Sequence, residues 1–293
     1  MATEKDIRRG CKPGGWASLG EHDIRREEDR VIDAEIDGAR PFGDDAEATV
    51  SYRKAKARKK AVHIVPKRDL GLYESDHSTG DCIDLYIPSR YGGGLTVAMV
   101  YCAPGIFQMG SGWNERYRQR DEMPHQVTLT KGFWLSRYPI TRGQWRQVMK
   151  SGFYIGEPNS PERAYFKDCQ RFLEMVNESL DCGARLPTEA EWEYACRAGD
   201  VQDIYGADVC AVNAWGLCNM GLYLEWCGDW YGKYGCAPVT DPAGPDSGEL
   251  RVLRGGVFNQ ELSLYRYAAR TPCAPECEDW FAGRHSFRLC CSI

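Results

Sequence analysis

The run Arg185-Leu186-Pro187-Thr188-Glu189-Ala190-Glu191-Trp192-Glu193-Tyr194-Ala195 decides how the rest of the chain is read. Pro187 opens a helix, and Thr188 is placed to cap it while Glu191, three residues on, reaches back as in a capping box. Trp192, Ala195 and Cys196 fall on one apolar face, and Gly199 is the stop. Two helices upstream follow the same logic. Thr141–Met149 has Thr141 as its cap and Trp145, Val148 and Met149 at helical spacing, and Lys167–Leu180 repeats the pattern through Cys169, Phe172, Leu173 and Val176.

Around these helices the chain reads as strand and loop. Ala61–Val65, Ile83–Ile87 and Leu95–Val100 are short apolar runs bounded by Pro66, Pro88 and the Gly92-Gly93-Gly94 triplet, and Phe133–Ile140 is extended. Beyond Gly199 no helix is predicted; loops carry Trp215, Trp226 and Trp230, and Leu250–Arg254, Tyr265–Arg270 and Ser286–Cys291 are strand-like. Strands, then helices, then a long loop-rich β region is the order of an α+β domain and not of a wound parallel sheet. The 31 glycines and 15 prolines in 293 residues agree with more loop than helix.

Composition narrows the function classes. With 43% hydrophobic and 27% charged residues, disorder and fibre are excluded. A net charge of −5, from 37 basic and 42 acidic residues, gives no general attraction to nucleic acid or anionic membrane. The one basic run is Arg53, Lys54, Lys56, Arg58, Lys59 and Lys60, read as a solvated face ahead of a nucleic-acid patch at 53–60. It follows the acid-rich stretch Glu21–Glu47, which has room for one marginal helix. No apolar stretch reaches membrane-span length, and the first thirty residues lack a signal core. The expected address is cytoplasmic, or cell-surface or secreted if a leader was removed. Fourteen cysteines run the whole length without paired CxxC knuckles, so a zinc framework is not expected and buried thiols are.

Several segments carry a resemblance. Phe107-Gln108-Met109-Gly110-Ser111, Met123-Pro124-His125-Gln126-Val127-Thr128-Leu129, Gly132-Phe133-Trp134, the Arg185–Ala195 run, Glu225-Trp226-Cys227, Arg254-Gly255-Gly256 and Phe287-Arg288 together resemble the formylglycine-generating (sulfatase-modifying factor) family. The resemblance covers about residues 98–293. It implies an irregular α+β fold of the C-type lectin kind, loop-rich, with two or three helices, short antiparallel strands and a ligand site near the C-terminus. Residues 1–97 lie outside it as an N-terminal extension of unassigned function, a charged arm 1–60 followed by short strands 61–97.

The chemistry that the family implies is tested by particular residues. Its oxidases hold copper on two thiolates in the stretch after the Arg-Gly-Gly motif, since soft Cu(I) prefers paired sulfur. Here that stretch, Val257–Tyr265, contains no cysteine and is a few residues shorter; Cys273 and Cys277 lie past it. A second enzymatic branch needs clustered histidines for non-haem iron, and His22, His63, His77, His125 and His285 are all isolated. The family's Gly-Asn-Val-Trp-Glu-Trp supplies oxygen ligands suited to calcium, but Leu222 stands where the Asn belongs, leaving Glu225 and Asp229 as buried, hydrogen-bonded carboxylates. No catalytic residue, metal or cofactor is expected.

What remains resembles the family's non-catalytic members, the variable proteins of diversity-generating retroelements, whose C-terminal segment is hypermutated to make new ligand sites. The resemblance implies a framework of Arg254, Gly255, Gly256, Arg266, Arg270 and Arg288 within the segment 251–293. If Tyr265–Thr271 is a strand, Arg266, Ala268 and Arg270 share one face and Tyr265, Tyr267, Ala269 and Thr271 the other. The expected ligand-binding set is Phe258, Asn259, Glu261, Ser263, Tyr265, Tyr267, Ala269, Thr271, Glu276, Trp280, Phe281 and His285, aromatics mixed with small and polar groups as on a recognition surface. The expected partner is a protein or other macromolecule. The alternative is a copper oxidase acting on a cysteine of a partner protein.

Overall fold

The structure is a computed structural model that describes residues 72, 77–89, 93–150, 157–200, 212–256, 264–276 and 285–292. The chain divides into two compact units, Met1–Val62 and His63–Ile293, and every described residue belongs to the second. The expected marginal helix, the basic run at 53–60 and the strand Ala61–Val65 lie outside the described residues.

The strands form three sheets. β1 (Cys82–Pro88), β2 (Gly94–Cys102), β5 (Phe133–Ser136), β12 (Cys290–Ser292) and β6 (Ala184–Arg185) make a five-stranded antiparallel sheet in the order β1-β2-β5-β12-β6. β10 (Arg270–Cys273), β9 (Arg251–Arg254), β7 (Glu225–Trp230) and β11 (Ser286–Phe287) make a second, and β3 (Gly105–Met109), β4 (His125–Leu129) and β8 (Val239–Thr240) a third. The pairs β7–β11 and β4–β8 are parallel, and the rest are antiparallel. The β1–β2 hairpin is the edge of the first sheet, so the domain boundary expected at residue 97 falls inside β2.

β2 shows why this sheet is central. Met99 and Tyr101 point into one apolar cluster, and Val100 and Cys102, one residue out of phase, into the other. A strand covered on both faces must be apolar at both parities, which is why its sequence reads as a continuous hydrophobic run. On one side lie α1 (Arg142–Met149) and α2 (Phe166–Ser179), where Trp145 stacks on Phe172 at 5.4 Å and both rings meet Phe287 edge-on. The other side holds α3 (Glu189–Arg197) through Trp192, Ala195 and Cys196.

The helices start where their caps allow. Thr141 and Thr188 each accept from the backbone three residues on, and Gln144 and Glu191 complete both capping boxes. Glu191 is also gripped by both terminal nitrogens of Arg185, at 2.6 Å each, so the cap is fixed to β6 as well as to its own helix. Among the described residues no helix is long and apolar enough to cross a membrane. Thr188→Ala leaves the Glu191 amide without its acceptor and is expected to cost about 1 kcal/mol. Urea denaturation would read this as a lower midpoint at unchanged slope.

Candidate functional site

Four arginines organise the C-terminal third. Arg254 closes β9 and is fully buried. Its guanidinium pairs with Glu193 of α3 and donates to three consecutive carbonyls, Tyr267 (2.8 Å), Ala268 (3.0 Å) and Ala269 (2.7 Å). The chain leaves β9 through Gly255, whose φ of +96° and closeness to the Tyr223 carbonyl leave no room for a side chain. Arg270 takes both oxygens of Glu189, at 2.6 and 2.9 Å, and also donates to the Asp121 carbonyl. Arg266 grips Glu122 at 2.5 and 2.7 Å and Glu115 at 2.7 Å. Arg288 pairs with Glu225 at 2.9 Å and satisfies the carbonyls of Ser136, Arg137 and Cys218. Burial alone would push the guanidiniums of Arg254, Arg266 and Arg270 toward the neutral form, but the facing carboxylates win and hold all three above the usual arginine range.

This network corrects one expectation. No strand forms over Tyr265–Thr271; β10 begins at Arg270, and residues 264–269 turn. In an extended strand successive carbonyls point to opposite sides, whereas Arg254 requires those of residues 267–269 to converge on one guanidinium. The alternation of faces is therefore lost. Arg266, Tyr267, Ala268 and Ala269 are all buried. Tyr267 donates its hydroxyl to Asp200 at 3.0 Å beneath the Arg197 guanidinium, so Tyr267 and Ala269, expected in the ligand set, belong to the core.

The rest of the expected set divides in two. Tyr265 lies against Gly256 and is half-buried, Thr271 is half-buried, and Glu276 is exposed. His285 is held by backbone bonds to Ala164, its ring edge-on to Trp226 and its Nε2 3.8 Å from the Cys273 sulfur. Phe258, Asn259, Glu261, Ser263, Trp280 and Phe281 lie outside the described residues, as does Cys277.

A cleft of about 690 Å³ opens beside α2, with Leu129, Phe166, Leu173 and Leu186 in its wall and Lys131, Gln170, Arg185 and Asp229 among its polar residues. None of the described residues of the expected ligand set lines it. Its polar lining is scattered over six stretches of chain, and no motif advertises it. Asp229 and Glu225 are buried and hydrogen-bonded, Asp229 to the Glu189 amide at 2.8 Å and Glu225 to the Trp192 indole at 2.8 Å. Burial, and then the neighbouring Glu189 charge, push the Asp229 carboxyl up to about 8. Its folded state thus holds a proton that the unfolded chain loses near pH 4. Asp229 therefore increasingly opposes folding as pH rises from about 4 to about 8. Asp229→Asn keeps the acceptor and removes the titration; its stability advantage over the native chain is expected to grow by about 3 kcal/mol between pH 5 and pH 8, read from denaturation at the two pH values.

Among the described residues no three His, Cys, Asp or Glu side chains are grouped to hold a metal ion. The copper that the family's oxidases use has no matching donors in Val257–Tyr265, which carries no cysteine, and Leu222 cannot ligate calcium. Most described thiols are buried hydrophobes: Cys102, Cys169, Cys182, Cys218, Cys227, Cys290 and Cys291.

An α+β domain pinned from within by buried arginine–carboxylate pairs, with little ladder structure for its length, defines a class of protein that the comparisons name. The sulfatase-modifying factor enzyme 1-like domain matches residues 93–210 and 205–292, and the chain belongs to that family. It is 29% identical over 223 residues to the serine/threonine-protein kinase Pkn1 of Chlamydia trachomatis, covering 60% of this chain and 36% of the kinase. The chain thus spans about a third of the length of that relative. It is 25% identical to the formylglycine-generating enzyme of Thermomonospora curvata, over 66% of this chain and 94% of the enzyme. The fold is shared with Treponema denticola variable protein 1, at a TM-score of 0.55 and 21% identity, over 72% of this chain and 99% of that structure.

Proposed function

We propose that this protein is a non-catalytic ligand-binding member of the family, a variable protein of the diversity-generating retroelement type. In this reading it presents changeable residues of its C-terminal segment from a fixed arginine framework. The observation that carries this is the contrast between Arg254, Arg266, Arg270 and Arg288, all buried and paired, and the stretch between Gly256 and Arg266, which lacks the thiolate pair of the oxidases. A framework whose pairing partners lie outside the segment stays folded when residues within the segment change. The fold shared with Treponema denticola variable protein 1 supports the same reading. The ligand is a protein or other macromolecule, contacted by Tyr265, Thr271, Glu276 and His285 together with Phe258, Asn259, Glu261, Ser263, Trp280 and Phe281.

The locus tests this without knowledge of the ligand. Sequencing it from several isolates is expected to find a near-identical template repeat beside a reverse-transcriptase gene. Differences should concentrate at adenines in the codons of the contact residues and spare those of the four framework arginines. A locus with neither repeat nor reverse transcriptase would overturn the reading.

One observation favours a second reading, a cysteine oxidase. Cys273 is partly exposed and touches the His285 imidazole, the kind of neighbour that activates a thiol. Incubation of the full chain with copper, oxygen and a sulfatase-type cysteine peptide is expected to yield no formylglycine by mass spectrometry; its formation would establish the oxidase reading in place of the first.

A further inference from the structure

The loop Gly112–Asp121, between β3 and β4, belongs to neither of the family-like segments that flank it. It is a closed loop. The Ser111 amide and hydroxyl both donate to the Glu122 carbonyl, at 3.1 and 3.3 Å, and bonds from Glu115 to Gly112 and from Arg118 to Glu115 brace the interior. Its acids are consumed from below: Glu115 and Glu122 by Arg266, and Asp121 by Tyr231 and, through its carbonyl, by Arg270. The loop is thereby bolted to the two arginines that also fix the C-terminal segment.

What it offers to solvent is cationic and aromatic. Trp113 is 69% exposed and Tyr117 39%, against a tendency of large aromatics toward burial. The Arg118 guanidinium lies 4.5 Å from the Trp113 ring and that of Arg116 4.7 Å from the Tyr117 ring, while Arg120 stands exposed beside them. Arg118 itself is half-buried, and two of its nitrogens, Nε and Nη2, are enclosed without a hydrogen-bond partner among the described residues. Tyr117 sits at φ +66°, a left-handed conformation that a bulky residue seldom adopts and that turns its ring outward at a backbone cost. Three arginines without carboxylate partners among the described residues, two of them held on aromatic rings, form a local positive surface on a chain of net charge −5.

We propose that this loop is a preformed docking site for a carboxylate-rich protein segment. Naming a protein ligand rests on the binding reading above. Planar guanidiniums match carboxylates bidentately, and the two exposed aromatics supply the apolar contact that a purely ionic partner would not use.

The test uses the full chain and an immobilised random copolymer of glutamate and tyrosine, with heparin as the polyanion arm. The native protein is expected to bind the copolymer more tightly than heparin, and to weaken as salt is raised from about 50 to about 300 mM. The combined variant Arg116→Gln, Arg118→Gln, Arg120→Gln is expected to lose about tenfold or more in affinity at unchanged melting temperature, since Arg116 and Arg120 are exposed and the two buried Arg118 nitrogens have no hydrogen bond to lose. Tyr117→Gly removes a ring from a strained position, so it is expected to weaken binding while the melting temperature holds or rises; a merely structural tyrosine would do the reverse. No binding by the native chain, equal binding by the triple variant, or an arginine-dependent preference for heparin would each overturn the proposal. Phe258→Ala with Trp280→Ala separates the two readings. If binding survives that pair and fails in the loop variants, the loop is the site and the C-terminal segment is not; if binding fails in the pair alone, the loop is not the site.

Discussion

The ion pair between Arg254 and Glu193 holds together parts of the chain that no sheet connects. Glu193 lies on α3 and Arg254 at the end of β9; the remaining donors of the guanidinium gather the carbonyls of residues 267–269. The other oxygen of Glu193 accepts from the Gly110 amide at 3.0 Å, and Arg197, one turn along α3, bonds both Glu193 and the Gly110 carbonyl. One buried charge pair thus fixes a helix, a strand, a turn and the mouth of the loop after β3. Burying two such charges is costly, and a buried pair is stabilising only where every donor and acceptor is met. Here the carbonyls of the turn take the Nη1 and Nη2 donors, leaving only Nε, 3.8 Å from Glu189, without a hydrogen bond, so the pair specifies the turn as much as the turn satisfies the pair.

The same device recurs at Arg266, Arg270 and Arg288, and it answers a problem that a loop-rich chain must solve. Backbone amides and carbonyls outside ladders still need partners when buried. A guanidinium supplies several donors in a rigid plane, enough to satisfy a carboxylate and two or three carbonyls at once. Arg288 does this for Ser136, Arg137 and Cys218, which lie on two separate stretches of the chain. Rigidity obtained this way does not depend on the identity of exposed residues between the arginines, which is the physical condition for a surface that can change without unfolding its support.

The helices were legible in the sequence because their signals are local. The capping box at Thr188, the cap at Thr141 and three apolar stripes required nothing from elsewhere in the chain, and the strands β1 and β2 were bounded by proline and glycine in the same way. Residues 264–269 were misread because Arg266, Ala268 and Arg270 at alternate positions imitate a strand, and what bends them is a guanidinium more than ten residues upstream. Local period lost to a tertiary demand. The cleft beside α2 and the arginine-aromatic loop escaped for a different reason. The first draws its polar wall from six distant stretches; in the second, Trp113 and Arg118 become a pair only through the loop's closure.

The cysteines show how chemistry depends on placement and not on number. A thiol acts as a nucleophile or a copper ligand only as a thiolate that substrate can reach. Burial raises Cys102, Cys169, Cys227 and Cys290 above the usual thiol range, and Cys291 rises chiefly because it donates to Cys182, which is lowered in turn but is equally enclosed. These side chains fill space between sheet and helices as valines would. A protein can therefore be rich in cysteine and poor in reactive thiolate, and the abundance that first suggests redox chemistry becomes a property of the core. Among the described residues the thiols that solvent reaches are Cys82, Cys236 and, in part, Cys273, and the exposed surface also carries arginine close to tryptophan and tyrosine.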